Sequence, residues 1–463
     1  MHSLRDCSRV VAATGLALAL PAALACVPVV AAGARSAGAT RAGARIAGAT
    51  RAGARIAARD RATQQATYLE LAASGAAQAT RAFRDNSHGI WNGRRNVPLR
   101  WYDERLGTHA AYPLATIWGA VPLFEALAGI AAADPTAAAR RALKTFAEGP
   151  HPPPAPPPRA HAASRTRRRA PVIAVYGGAE SYWDAAVGGF APYPGDRGHA
   201  NTWFDDNAWW GIAFADAYRV LKEARLLKDA QAAFSFIAHR GWDAAGGGVW
   251  WNTAHTPNGQ KSGEALAAGS LLGALLATAL QEAAESARGT TARAERASAA
   301  FDLRVVEKFL SWGDAHFATR GELYSRTQED ATPMPYVAGP EIEAKELLCM
   351  LPSSEGAYCA QVPRLADAAY ARFAYRLNMG PQFDAVYLHW MLAYGQQTGD
   401  SRWLSMARTF AADATSNSRD PASGLYLKAW DGSDMSLHQA EPNMLRTDAA
   451  TVELFAWLAA DGV

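Results

Sequence analysis

The stretch Gly263-Glu264-Ala265-Leu266-Ala267-Ala268-Gly269-Ser270-Leu271-Leu272 is built largely from alanine, glycine and leucine. Alanine and leucine favour helix, and small side chains let two helix axes approach closely, so the segment reads as a helix packed tightly among others. The same pattern extends along the chain. Apolar periodicity predicts helices near residues 66–83, 112–132, 136–147, 204–221, 225–239, 263–288, 291–311, 339–350, 359–375, 383–398, 401–415 and 445–460, with no convincing set of strands. Some links are short, as at Thr398-Gly399-Asp400, while others are long and rich in aromatic and polar residues. Twelve helices joined alternately by short and long links predict an all-α toroid of six hairpins, with the long loops gathered on one functional face.

One long loop runs into Thr202-Trp203-Phe204-Asp205-Asp206-Asn207-Ala208-Trp209-Trp210. Two adjacent carboxylates under aromatic cover resist ionising together, so their pKa values separate and one can serve as acid while the other stays charged. Such a pair suits glycosidic bond cleavage. The structural alternative is an N-cap followed by a first-turn acid favoured by the helix dipole. Trp203, Phe204, Trp209 and Trp210 weigh toward chemistry, because rings supply both a low-dielectric wall and platforms for sugars. Tyr182-Trp183-Asp184 repeats the association of ring and acid, and Gly246-Gly247-Gly248-Val249-Trp250-Trp251-Asn252 sets two tryptophans after glycines that allow close backbone approach. Tryptophan equals tyrosine and phenylalanine at 15 each, which favours a carbohydrate-lined groove over a merely apolar core.

Other chemistries find little support. The chain has no Gly-x-Ser-x-Gly elbow, no phosphate-cradling loop with lysine and no zinc-type histidine pair, so neither a metal nor a cofactor is expected. His389, in Tyr387-Leu388-His389-Trp390, is the histidine to place near a site, against a competing role as a satisfied core residue. Asp384 reads as a helix cap rather than a ligand contact.

Of the 463 residues 49% are apolar and 19% charged, enough for a large core. The formal charge of +3 comes from two low-complexity segments: nine arginines up to Arg61 against Asp6 and Asp60, and five arginines with no acid in residues 150–171. The remainder is acidic, and nucleic acid is not an expected partner. Arg5 and Arg9, the apolar run Val10 to Ala25 and the small residues Ala32-Gly33-Ala34 read as an export signal, so the protein is expected to be secreted or held at the cell surface. No membrane span is expected in the mature chain; lipid anchoring through Cys26 ranks below secretion. Cys7 and Cys26 would leave with the signal, and Cys349 and Cys359 flank a turn-like segment that a disulfide could close.

The repeat ATRAGARIAG and ATRAGARIAA at residues 39–58 supports a basic tail able to touch anionic envelope polymers, or a passive spacer. The proline- and arginine-rich run at 150–171 reads as an extended loop insertion. The expected organisation is a signal peptide at 1–34, a repeat tail at 35–65 and one domain at 66–463 carrying that insert.

Phe204-Asp205-Asp206-Asn207-Ala208-Trp209-Trp210 resembles the hallmark segment of glycoside hydrolase family 76, the endo-α-1,6-mannanases. Gly247 to Asn252 resembles the family's glycine-tryptophan loop, Tyr112 to Trp118 its early inner helix, and Thr398-Gly399-Asp400, Asp420-Pro421 and Gly424-Leu425-Tyr426 its C-terminal repeats. The resemblance covers about residues 66–460 and departs at Tyr336-Val337-Ala338-Gly339, where the family shows Tyr-Asn-Gln-Gly. It implies an (α/α)6 barrel and retaining hydrolysis of α-1,6-linked mannan, with Asp205 matching the nucleophile and Asp206 the acid/base. A retaining mechanism wants its carboxyl groups about 5–5.5 Å apart, which adjacent residues at a helix start can meet. Trp118, Trp183, Trp250 and Trp251 become stacking candidates, and Asp184 and Asn252 hydroxyl binders; Tyr182, Asn207 and His389 complete the expected substrate contacts. A mannan-remodelling transglycosidase and a non-catalytic carbohydrate-binding protein are the alternatives; retention of both aspartates weighs against the second.

Overall fold

The computed structural model describes residues 37–85, 90–91, 115–148, 178–193, 201–255, 259–319, 323–354, 356–375, 377–433 and 444–461. The expected signal peptide, Cys7, Cys26 and the proline- and arginine-rich insert lie outside them. The helices are α1 (Ala37–Phe83), α2 (Ile117–Ala133), α3 (Ala137–Glu148), α4 (Phe204–Leu221), α5 (Ala224–Phe236), α6 (Gly263–Ser286), α7 (Gly289–His316), α8 (Pro335–Met350), α9 (Val362–Phe373), α10 (Pro381–Thr398), α11 (Arg402–Asp413) and α12 (Leu445–Ala460). Two short hairpins accompany them: β1 (Arg84–Asp85) with β2 (Ile90–Trp91), and β3 (Trp183–Asp184) with β4 (Gly189–Phe190).

Burial separates the helices into two kinds. Those with even numbers are apolar on nearly every face and packed on all sides. The others carry one apolar stripe, as in α5 with Leu226, Leu227, Ala230, Ala233 and Phe234, and α11 with Trp403, Met406, Ala407 and Ala411. Even-numbered helices pack in the order α2, α4, α6, α8, α10, α12 and back to α2, and the single-striped helices lie outside this ring. The chain folds as an (α/α)6 barrel.

The six expected hairpins are five. Each inner helix from α2 to α10 turns straight into its outer partner, while α12 takes α1 from the opposite end of the chain. Gln65 Nε2 donates to the Ala459 carbonyl at 2.9 Å, and Gly75 lies directly against Val452. Packing divides the chain into Met1–Ala58 and Arg59–Val463, and these contacts belong to the second unit. Helix α1 also begins far before residue 66: the repeat is rich in alanine and arginine and free of proline, so nothing stops helical propagation.

The inner-to-outer links are mostly short. Lys222 and Gly399 end α4 and α10 in the left-handed conformation, which is why glycine stands in Thr398-Gly399-Asp400. The α8–α9 link carries the disulfide Cys349–Cys359. The long loops all lead into inner-helix N-termini, so six helix starts converge on one end of the barrel. One described helix, α6, is long and apolar enough to cross a membrane, and it is an inner helix with 83% of its most apolar window buried.

Candidate active site

The second residue of each inner helix is Trp118, Asp205, Glu264, Tyr336, Gln382 or Arg446. Contacts join three of these, Trp118, Asp205 and Tyr336. Tyr336 Oη donates to Asp205 Oδ2 at 3.2 Å and itself accepts from Trp209 Nε1 at 2.7 Å. Trp118 packs on Tyr336 with ring centroids 5.5 Å apart. Trp251, reaching in from the α5–α6 loop, gives Asp205 Oδ2 a second donor at 3.3 Å. Asp205 Oδ1 has no hydrogen-bond partner, although the residue is only 4% exposed.

The electrostatics follow from burial and helix ends. Desolvation pushes the Asp205 carboxyl above its ordinary range, opposed by the Trp251 donor, the N–H groups at the start of α4 and Tyr336. Burial, then the Asp205 carboxylate, raises Tyr336 well above the usual phenol range, so it remains a neutral donor. Glu264 is a third buried carboxyl at this end, raised to about 7 by burial and by Asp205. Arg326 Nε holds Glu264 Oε1 at 2.8 Å while its guanidinium lies 5.2 Å over the Trp251 ring. Asp206 is buried beside Asp205.

A different task falls to the fourth residue of three inner helices. Asn207 on α4 accepts the Phe190 N–H at 2.7 Å and donates to the Phe190 and Trp203 carbonyls. Asp384 on α10 accepts from the Met379 and Gly380 N–H groups, and Asp448 on α12 from the Tyr426 N–H at 2.7 Å. Each staples a long loop onto a helix start.

Several expected substrate contacts are therefore corrected. Asn207 is fully buried in its staple, not a hydroxyl binder. Asn252 is fully buried in the loop ladder opposite Trp203, beyond reach of a sugar. Asp184 Oδ1 accepts the Ala186 N–H at 2.8 Å within the β3–β4 turn, and Tyr182 Oη donates to the Ala115 carbonyl at 2.6 Å. Lys261 Nζ sits 2.9 Å from the Trp250 ring centroid and His255 stacks on it at 4.3 Å. Both groups cannot share one face, so neither face of Trp250 is open to a sugar. His389 is a core residue between Trp390 and Trp457, its pKa held well below the usual range by burial and Arg219. Trp118 and Trp183 remain half-buried, and Trp251 serves as a donor to Asp205.

Tyr336, Glu264 and Arg326 were not expected in the site. Their common signal is positional for two of them: each is the second residue of an inner helix, in register with Asp205.

Residues 182–294, which include Asp205, Asp206, Trp251 and Glu264, match the model of Glycosyl hydrolase family 76. Over this segment the chain is similar to glycosyl hydrolase family 76. Among solved structures, the family 76 mannosidase of Bacteroides thetaiotaomicron is similar at 16% identity and TM-score 0.63, covering 85% of this chain and 98% of that one. An inactive variant of the α-1,6-mannanase of Salegentibacter sp. HEL1_6, two consecutive aspartates replaced by alanine and α-1,6-mannotetrose bound, is similar at 15% and 0.58, covering 85% and 98%. Dfg5 of Chaetomium thermophilum, solved with glucosamine, is similar at 15% and 0.58, covering 86% and 91%. No curated protein matches. Identities this low carry the barrel and not the reaction.

Proposed function

We propose that this chain is a family 76 glycosidase that cleaves α-1,6-mannosidic linkages by retaining double displacement, with Asp205 as nucleophile and Asp206 as acid/base. The observation that carries the reading is the asymmetry of Asp205: two neutral donors hold Oδ2, and Oδ1 has no partner. The held oxygen favours the ionised form, and the other is free to attack. Adjacent aspartates replaced in the inactive α-1,6-mannanase variant with bound mannotetrose support both the roles and the substrate class.

In the first step Asp205 Oδ1 bonds to the anomeric carbon as the glycosidic C–O bond breaks, and Asp206 gives its proton to the departing oxygen. In the second, Asp206 takes a proton from water, whose oxygen displaces Asp205 from the same carbon. Two inversions retain the anomeric configuration. Trp118 and Trp183 are the sugar-stacking candidates that remain half-buried. Export is part of the proposal; the disulfide Cys349–Cys359 supports an oxidising compartment, and the basic tail would contact anionic envelope polymer.

The test uses linear α-1,6-mannan, with products followed by chromatography and the first-formed anomer by NMR. Wild type should release α-configured mannosaccharides, and Asp205→Asn should release none. Absence of products from wild type would sink the activity, β-configured first products the retaining mechanism, and an active Asp205→Asn the nucleophile. Addition of an acceptor mannoside separates hydrolysis from transglycosylation, since a transglycosidase elongates it. Fractionation of producing cells checks export.

A further inference from the structure

Seven residues further along three inner helices, about 10 Å deeper at 1.5 Å per residue, the same faces present Glu125 beneath Trp118, His389 beneath Gln382 and Glu453 beneath Arg446. Asp216, on α4, joins them. Glu125, Asp216 and His389 each bring one donor atom to a space where all three lie within 4.8 Å of one another. Glu125 is 4% exposed and its carboxyl is paired only with that of Asp216, acid against acid, and His389 is 3% exposed with Nε2 lacking a hydrogen-bond partner. Glu453 Oε2 likewise lacks a hydrogen-bond partner. Glu125, His389 and Glu453 line a cavity of about 10 Å³, the room of one water-sized occupant, beneath Trp118 and Trp209.

Buried polar atoms left unpaired are costly, and here they converge. The charge is also lopsided. Arg219 reaches Asp216 Oδ1 at 3.4 Å, and Glu343 and Asp461 act on the same guanidinium, so carboxyls outnumber the basic side chains facing them. An imidazole nitrogen with carboxylate oxygens is a donor set for borderline divalent metals rather than for calcium or magnesium, which prefer oxygen alone.

We propose that Glu125, Asp216, His389 and Glu453 bind one divalent first-row transition cation, zinc or manganese, which ties α2, α4, α10 and α12 together beneath the candidate active site. The ion is structural. The layer of Trp118, Trp209 and Tyr336 stands between it and Asp205, so the inference does not depend on the proposed reaction.

Tag-free full-length protein, cleared with a chelator, is exposed separately to zinc, manganese, calcium and magnesium, desalted, and measured for metal content and melting temperature. Zinc or manganese should be retained at one ion per chain and raise the melting temperature by several degrees, as binding to the native state alone requires. Calcium and magnesium should do neither. Glu125→Gln and His389→Gln should lose the ion while keeping the helical circular dichroism. Should either variant fail to fold, cobalt added to wild type should give visible bands of mixed nitrogen and oxygen ligation that zinc abolishes. Wild type that retains no transition metal and melts unchanged overturns the proposal, as does full retention by folded Glu125→Gln and His389→Gln, or cobalt bound without nitrogen ligation.

Discussion

At the scale of single residues, Tyr336 decides how Asp205 behaves. Its hydroxyl is the middle of a chain from Trp209 Nε1 to Asp205 Oδ2, so it is already oriented as a donor by the bond it accepts. Tyr336→Phe removes one of two donors to the proposed nucleophile and strands the buried Trp209 N–H. A hydrogen bond to a charged group contributes about 1.5–3 kcal/mol, so activity should fall roughly 10- to 100-fold. Because the donor favours ionised Asp205, its loss raises that carboxyl's pKa, and the acidic limb of the pH–rate profile should move to higher pH. Steady-state rates across pH check this. A limb that stays in place would deny Tyr336 its part in setting the charge of Asp205.

Reading the residues alone placed Asp205, Asp206 and Trp251 in the site but left Tyr336 as a departure from a motif. The reason lies in Pro335 and Pro340. Prolines argue for a helix beginning at 339, yet Pro335 occupies the first helical position, where a missing N–H costs nothing, and α8 continues through Pro340. That shift of four residues turns Tyr336 from a loop residue into the second residue of an inner helix.

Among elements, the twelve helices were legible because inner helices lack any polar face and outer ones keep a single apolar stripe, a contrast that survives in the residue pattern alone. What the pattern could not reveal was which polar residues staple loops and which face substrate. Asn207 looks like a site residue by type, and only the third dimension shows it accepting the Phe190 N–H, whereas Asp384 accepts backbone N–H groups at the start of α10 as its reading as a cap expects. Stacking on Trp250 was equally hidden, since His255 and Lys261 approach it across a loop fold. The glycine run before Trp250 has a definite steric cause: Gly247 and Gly248 have φ of +71° and +78°, and a Cβ on Gly248 would lie 2.6 Å from the Trp312 ring. Gly248→Ala combines backbone strain with a clash, so about 2–4 kcal/mol of stability should be lost. Gly289→Ala, with φ of +62° but nothing within 4 Å, isolates the strain and should cost less. Urea midpoints of the two variants check the order; equal losses would remove Trp312 from the explanation.

For the whole molecule, the barrel buries acids on a scale that makes its stability depend on pH. Glu343 and Asp384 are raised to about 8, and Glu341, Asp302 and Asp448 to about 7, burial being the first cause in every case. A carboxyl whose folded pKa lies above its unfolded value binds its proton more tightly in the native state. Its contribution is therefore complete below the unfolded pKa of about 4 and declines as pH rises through the folded value. Lowered carboxyls run the other way: Asp243, held by Lys261, and Asp400, held by Arg402, keep their contribution above the ordinary carboxylate range and lose it only at pH values below that range. The melting temperature should accordingly be highest near pH 5 and fall steadily toward pH 8, where the last of these groups ionises. Scanning calorimetry between these limits checks the sign, and a melting temperature that climbs from pH 5 to pH 8 would mean that these acids are ionised and paired in the native barrel.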